Sequence, residues 1–579
     1  MLDYKDVSFS FNDRRRRQRR RRLLWLLLLA LTGAAFFGFH CLKAGAAVSA
    51  IEDMLLAGRL DEAGPRLQHP PSPLWQRGNF RELQALNELC RGRLPEAAAR
   101  FEQLRRDGVP TSLRSGRFLA LFFGRGEYEK LDLYAGYLLP RGGDEARWFH
   151  ALCRAAFLDP EGAERAVAGL SAPYRAAHAK ALELLSRFNR SLRAGRVDYL
   201  FDRNDASLAY YDLKRRSSRA LVPGFDVAPF DAQFRKGARR FRLTLDAGLQ
   251  RSIDRLFQGL FGTLVLLELP ENAIIAAYSK PRAGNPADAA FRQAYEPGSI
   301  VKLVSLLAYL RCDAGPPVRS DRDVGTRRAP PAVGAGRGGI FPLECPGHLA
   351  VGGRIIYELE KHGTVRDHSQ ALARSCNVAF ALMGRTVGFD ALADLLKRFF
   401  FNGPALGDQF LSFATGRFDG KAGDEQQLAH LASGLGGVTM TTVHAAVLAA
   451  AFAQNGQHFP PYLIDDTKNI LNLGFYQHLS EPRRLLSDDL NFLNVRKAMA
   501  AVVEEEKGTG ARLRGLVPRL AIKTGTAGNP AGGLDAVIVG FLPFENPRYA
   551  FAFRLEGAGR SDVHGAAFLR RLLQVLYPE

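Results

Sequence analysis

The sequence predicts an α+β domain over residues 243–579, preceded by an all-α region of repeated helical hairpins and, ahead of that, one transmembrane helix. Three observations predict it. Apolar strand pairs stand at both ends of the C-terminal part: "GTLVLLEL" with "AIIAAYSK", and "LDAVIVGFLP" with "RYAFAFRLEG". Between them the apolar residues recur at helical spacing, as in "SIVKLVSLLAYL" and "TTVHAAVLAAAFAQNG". Strands at the ends with helices between argue that the two terminal hairpins meet in one antiparallel sheet. Third, residues 45–198 carry Ala, Leu, Arg and Glu at helical spacing with few β-branched runs.

The chain begins with a basic tail, residues 1–22, holding nine Lys or Arg against three Asp. This local cluster supplies a large part of the formal charge of +20, so the charge reads as a topology determinant and not as a nucleic-acid site. Leu23 to Phe39 carries no charge, and with His40 and Cys41 included the run extends through residue 42. At about 1.5 Å per residue it nearly crosses a hydrocarbon core, with Lys43 able to reach the far interface. A cleavable signal peptide competes, since "KAGAAVSA" offers small residues to a peptidase, but the apolar run is long for one. The expectation is an uncleaved anchor over 23–42, with the basic tail in the cytoplasm and everything after residue 43 outside.

A repeat runs through residues 45–198. "GRLDEA" begins at Gly58, "GRLPEA" at Gly92, "GEYEKL" at Gly126 and a degenerate "PEGAERA" at Pro160, a spacing of 34 residues each time. That period, with Gly at a helix–helix turn, resembles tetratricopeptide (TPR) repeats, in which each hairpin buries its apolar face against a neighbour. The region reads as a protein-binding or spacer module without chemistry of its own. Residues 199–242 form a short transition, with Arg203-Asn204-Asp205 as a turn between two short strands.

The six cysteines show no metal-type spacing and no Cys/His cluster. In an exported chain, Cys312 and Cys345 could pair across a loop-rich stretch.

Three stretches carry the chemistry. In "EPGSIVKL" the Pro-Gly pair blocks helix before Ser299, so Ser299 falls in the first turn, where unpaired amides favour developing negative charge. Lys302 lies on the same face one turn on, placed to take the proton that a serine must lose to become a nucleophile. "RSCNVAF" adds Ser375 and Asn377, a hydroxyl and an amide two residues apart. "AIKTGTAG" adds Lys523, Thr524, Gly525 and Thr526, a cation and hydroxyls on a strand whose glycine permits close approach of a ligand backbone, suited to a peptide carboxylate.

S-x-x-K, S-x-N and K-T-G in this order resemble the penicillin-binding transpeptidase family. The similarity extends to "LTLDAGLQ", "CPGHL" with "KHGTV", the stretch "GLGGVTMTTVHAAVLAAAFAQNG", "KGTGARL" and the closing hairpin and helix, and spans roughly residues 243–579. The resemblance implies a penicillin-binding transpeptidase fold and a serine acyl-enzyme. Ser299 would be the nucleophile and Lys302 its base. Ser375 would relay a proton to the leaving amine, and Asn377 would hold Lys302 and the substrate amide. Lys523 would supply positive potential, and Thr524, Gly525 and Thr526 would bind substrate. It implies peptidoglycan stem peptides ending in D-Ala-D-Ala as substrate, acylation by β-lactams, and no metal or organic cofactor. No glycosyltransferase signature precedes the domain, so the chain reads as a monofunctional, class B-like member. "FDRNDASLA" resembles the start of the pedestal of such enzymes, here shrunken, so the helical repeats are candidates to dock a cell-wall polymerase or another division or elongation protein. The expected location is the bacterial inner membrane, single-pass, with the catalytic domain periplasmic or extracellular. D,D-carboxypeptidase action, a β-lactam-binding sensor or scaffold, and a class D-type β-lactamase remain as alternatives.

Overall fold

The computed structural model describes residues 30, 32, 34, 39, 42–68, 77–108, 113–282, 288–313, 339–407, 411–529 and 532–578. Most of the expected anchor over 23–42 and the whole basic tail lie outside these residues. Among the described residues no helix is long and apolar enough to cross a membrane. The chain forms two compact units, one built mainly of residues up to Arg193 and one mainly of residues from Ala194 onward.

The first unit is helical. Its helices pair as hairpins: α1 (Arg77–Cys90) with α2 (Leu94–Arg106), α3 (Ser115–Gly124) with α4 (Tyr128–Leu138), and α5 (Asp144–Ala156) with α6 (Pro160–Ala168). The 34-residue spacing of the glycines has a backbone cause. Gly58, Gly92 and Gly126 all have left-handed φ, of 75°, 78° and 68°. After each, the next amide reaches back to a carbonyl five residues earlier: Arg59 to Met54, Arg93 to Glu88 and Glu127 to Phe122, each at 2.9 Å. This is a helix stop that a residue without Cβ makes at least strain. The fourth turn uses Leu158, φ 64°, closed by Asp159 to Arg154 at 2.8 Å. The motif at Pro160 is degenerate because its turn has lost the glycine.

Two larger sheets, one of six strands and one of five, organise the second unit among the described residues, beside several two-stranded pairs. β1 (Arg196–Phe201), β2 (Ser207–Asp212), β3 (Ser217–Ala220) and β4 (Arg240–Leu243) come from the transition segment. β1 and β2 flank the turn at 203–205. β4 lies between β1 and a strand from far along the chain, Ile464–Lys468. The transition segment is thus woven into the second unit. After β4 comes α7 (Ala247–Leu256), whose first turn is capped by the Asp246 carboxylate accepting from the Leu249 amide.

The main sheet is the one expected from the terminal hairpins. β5 (Gly262–Glu268) and β6 (Ala273–Lys280) open it. The C-terminal strands close it: Ala521–Gly528, Leu534–Leu542 and Tyr549–Leu555, the last pairing antiparallel with β5. Ala521–Gly528 is an edge strand of the five. One face of the sheet packs on α7 and the closing helix Ala566–Leu576, through Ile253, Phe257, Ile538, Phe553, Phe568 and Leu572. The helix Thr442–Ala453 touches the sheet too and is buried at all twelve positions, which is why its sequence is apolar all round.

The Cys312–Cys345 bridge is not made. Cys312 is exposed at the end of the helix Lys302–Asp313, whereas Cys345 is buried with its sulfur 3.7 Å from that of Cys376. Cys345 lies on a strand paired with residues 363–365, which aims it at the turn holding Cys376 and away from Cys312.

Candidate active site

Ser299 sits half-buried in a 3-10 turn, Gly298–Val301, that runs directly into α8 (Lys302–Asp313). The turn is wedged. Gly298 has φ 59°, and a Cβ there would stand 2.8 Å from the carbonyl oxygen of Thr526. A Cβ on Gly525 would stand 2.2 Å from the carbonyl oxygen of Pro297. The glycine of "KTG" is therefore required by the approach of its own strand to the serine turn, a reason that reading it as a space for ligand did not contain.

Lys302 reaches into the interior and is fully buried. Its ammonium donates to the Ser375 carbonyl at 2.7 Å, the Asn377 side-chain oxygen at 2.7 Å and the Ser375 hydroxyl at 3.2 Å. The Phe380 ring lies 5.4 Å away, a cation–π contact. Burial pulls the Lys302 pKa down to about 8, against the opposing pull of the Glu358 carboxylate.

Ser375 is the hinge of the arrangement. It lies in the turn between α9 (His368–Ala373) and α10 (Asn377–Val387) in a left-handed conformation, φ 58°, unusual for a residue with a side chain. That conformation turns both its carbonyl and its hydroxyl toward Lys302. The same hydroxyl accepts from the Lys523 ammonium at 3.0 Å. Lys523, also fully buried, donates besides to the Thr524 carbonyl at 2.7 Å. Its pKa is driven well down by burial and, next, by the charge of Lys302. Two amines thus share one hydroxyl inside the protein, and like-charge repulsion disfavours both carrying protons at once.

The remaining expected residues line the same strand. The Thr524 hydroxyl donates to Thr509 at 2.7 Å, and that of Thr526, half-buried, lies 2.8 Å from the Ser561 hydroxyl. Asn377 donates to the Tyr357 carbonyl at 2.9 Å, which fixes its side-chain oxygen toward Lys302. The structure brings Lys302, Ser375, Asn377 and Lys523 into one hydrogen-bonded group, with the Ser299 turn packed against the strand that bears Lys523.

This geometry meets a family likeness. Residues 349–574 match the family described as penicillin binding protein transpeptidase domain. The chain carries a penicillin-binding transpeptidase domain. The matched stretch holds Ser375, Asn377 and Lys523, while Ser299 and Lys302 lie before it. A relative is the peptidoglycan D,D-transpeptidase PbpA of Mycobacterium tuberculosis (H37Rv), 27% identical over 362 residues, covering 55% of this chain and 67% of that one. In structure the chain is similar to the D,D-transpeptidase domain of a peptidoglycan glycosyltransferase from Eggerthella lenta, with a TM-score of 0.54 at 20% identity over 66% of this chain and 98% of that one. It is also similar to penicillin-binding protein A from M. tuberculosis as a ceftriaxone acyl-enzyme, TM-score 0.52 at 18% identity over 66% and 98%. At these identities the structural likeness speaks for the fold.

Four features of the transpeptidase domain escaped the sequence. Ser561, from a short turn ahead of the closing helix, hydrogen-bonds the Gly525 carbonyl and the Thr526 hydroxyl and so braces the "KTG" strand. Thr509, within "KGTGARL", holds Thr524. Glu358 is buried and accepts from the Val378 amide at 2.7 Å. The expectation of no Cys/His cluster is corrected: the atoms of Cys345, Glu358, His362 and Cys376 all lie within 4.8 Å of one another. Their spacing along the chain follows no motif, because a short strand pair and the left-handed turn at Ser375, not one loop, bring them together.

Proposed function

We propose that the chain is a peptidoglycan D,D-transpeptidase that works through a Ser299 acyl-enzyme. The observation that carries this reading is the hydroxyl of Ser375 shared by two buried lysines beside the Ser299 turn. Burial that pulls an amine's pKa down toward neutrality lets its neutral form act as a base, and burying two cations together has no stabilising purpose of its own.

In the first half-reaction Ser299 Oγ attacks the carbonyl carbon of the penultimate D-Ala, and its proton passes to Lys302. The oxyanion is held by the backbone N–H groups of Ser299 and Thr526. The C–N bond to the last D-Ala breaks, and the leaving amine takes its proton through Ser375. In the second half-reaction an amine from a neighbouring stem attacks the ester carbonyl, loses its proton to the same relay, and Ser299 is regenerated. When the single proton of the lysine pair rests on Lys523, Lys302 is free to accept, and Lys523 faces the substrate carboxylate beside Thr524 and Thr526. The edge position of this strand lets an extended peptide add alongside it. β-Lactams acylate Ser299 as mimics of the same substrate. The acyl transfer needs no cofactor.

Residues 23–42 anchor the chain in the inner membrane with the catalytic domain outside, and the TPR-like hairpins of the first unit recruit a cell-wall polymerase or another division or elongation protein. Nucleic acid has no part in this reading.

Labelling with a fluorescent penicillin tests it. The wild type is expected to give a labelled band that Ser299→Ala abolishes; equal labelling of the variant would reject Ser299 as nucleophile. Incubation with a pentapeptide donor and an amine acceptor is expected to give the cross-linked product. Free D-Ala alone would make the enzyme a carboxypeptidase.

A further inference from the structure

We infer that Cys345, Glu358, His362 and Cys376 form a binding site for one divalent transition-metal ion of the zinc class, built into the back of the Ser375 turn. The donors converge from three directions. Cys345 ends β7 (Leu343–Cys345), which pairs with the strand Gly363–Val365 directly after His362. Glu358 follows the strand Arg354–Tyr357. Cys376 caps α10, its sulfur accepting from the Ala379 amide at 3.4 Å.

The spacing suits tetrahedral coordination. The two sulfurs are 3.7 Å apart. Two thiolates at about 2.3 Å from one zinc ion at the tetrahedral angle stand about 3.8 Å apart. A disulfide would require them near 2.05 Å. The Glu358 carboxylate lies 3.1 Å from the Cys376 sulfur and 3.9 Å from that of Cys345. The His362 Nδ1 lies 3.9 Å from the Cys345 sulfur and 3.9 Å from Glu358.

The chemistry of the set is equally specific. Two thiols, an imidazole and a carboxylate are borderline-to-soft donors, unlike the all-oxygen sets that select calcium or magnesium. The Glu358 side chain is only 2% exposed and makes no ion pair with a Lys or Arg among the described residues. Its ion-pair neighbour is the His362 imidazole at 3.9 Å, and the Lys302 ammonium acts on it electrostatically, a set that a bound cation would complete. On binding, two thiol protons leave to solvent. The thiolates and carboxylate together with neutral His362 offset the 2+ charge and leave a net charge of −1.

The ion would tie the loop from 345 to 362 to the residue between Ser375 and Asn377. It would brace, from outside the reaction path, the strained turn that holds both lysines. Its test does not depend on turnover, so it can fail without the acyl-transfer reading failing, and the reverse.

The experiment uses the full chain, purified with reductant and without chelator, then depleted and titrated with Co²⁺. The wild type is expected to bind one equivalent with the near-ultraviolet thiolate-to-cobalt band and strong visible bands of a tetrahedral site. Zn²⁺ added in one equivalent should displace it. The double variant Cys345→Ser/His362→Ala, with folding checked by circular dichroism, is expected to lose the thiolate band and to bind Co²⁺ at least tenfold more weakly. Absence of a thiolate band in the wild type would overturn the site, whatever the variant does. An unchanged band in the folded variant would overturn it too, as would a Cys345–Cys376 disulfide found by mass spectrometry in protein kept with Zn²⁺.

Discussion

Two buried charged clusters, one in each unit, are built on opposite rules, although the second unit also holds the opposite-sign cluster Asp535–Arg554–Glu556. In the helical unit Glu82, 1% exposed, accepts from the Tyr134 hydroxyl at 2.7 Å and has the Arg141 guanidinium 3.8 Å away. The charges are of opposite sign, and the acid has a donor. In the transpeptidase unit Lys302 and Lys523 are both fully buried, carry the same sign and meet on one neutral hydroxyl. The first arrangement satisfies a buried acid. The second sets two like charges together, offset only in part by the Glu358 carboxylate, and moves pKa values, which is what a proton-transfer site needs and a scaffold does not. A buried charge is therefore informative by the sign of its neighbours, not by its burial alone.

The largest break in that contrast is Lys302→Ala. Without the base, the second-order rate of β-lactam acylation, followed by stopped-flow fluorescence, is expected to fall by about 10²–10⁴. A fall of less than threefold would remove Lys302 from the chemistry. The pH profile sharpens the point. The working form of Lys302 is neutral, and its pKa is lowered to about 8 by burial. Acylation should thus rise with pH through that value and drop about tenfold per unit well below it. Lys523→Ala comes next, with a loss of about 10² in rate from the missing cation at the carboxylate. Where Lys523 holds the shared proton, its removal should also move the rising limb to higher pH, because a positive neighbour lowers the pKa of Lys302. An unmoved limb would mean that Lys523 is neutral while Lys302 titrates, as the pull of Lys302 on Lys523 favours. Thr526→Val should weaken substrate binding by about tenfold through one lost hydrogen bond to a charged group, with the maximal acylation rate nearly unchanged.

How far the sequence made this legible follows from the range of each interaction. Ser299 and Lys302 are one helical turn apart, so their relation is local and readable. The same is true of the repeated glycines, because a helix stop is a property of one backbone position. The union of the terminal hairpins was readable because each pair was apolar throughout and needed cover on both faces. What stayed hidden depends on long-range geometry. Nothing local says that β4 will pair with residues 464–468, or that the Cβ missing at Gly525 makes room for the Pro297 carbonyl. The Cys345–Glu358–His362–Cys376 cluster is the clearest case, since donors dispersed over 32 residues of chain resemble no metal motif until the strand pairing and the Ser375 turn exist.

The smallest expected effect tests the other side of the comparison. Glu82→Gln keeps the size of the side chain and removes its charge. The Tyr134 hydroxyl keeps an acceptor, while Arg141, half-exposed, turns to water. The variant should lose about 1–3 kcal/mol at most, the range of a weakened buried hydrogen bond to a charged group, seen as a lower melting temperature of the helical unit. Acylation by a fluorescent penicillin should stay within twofold of the wild type. If Glu82→Gln instead slowed acylation as Lys523→Ala does, the helical cluster would be part of the catalytic apparatus, and opposite-sign pairing would no longer separate scaffold from site.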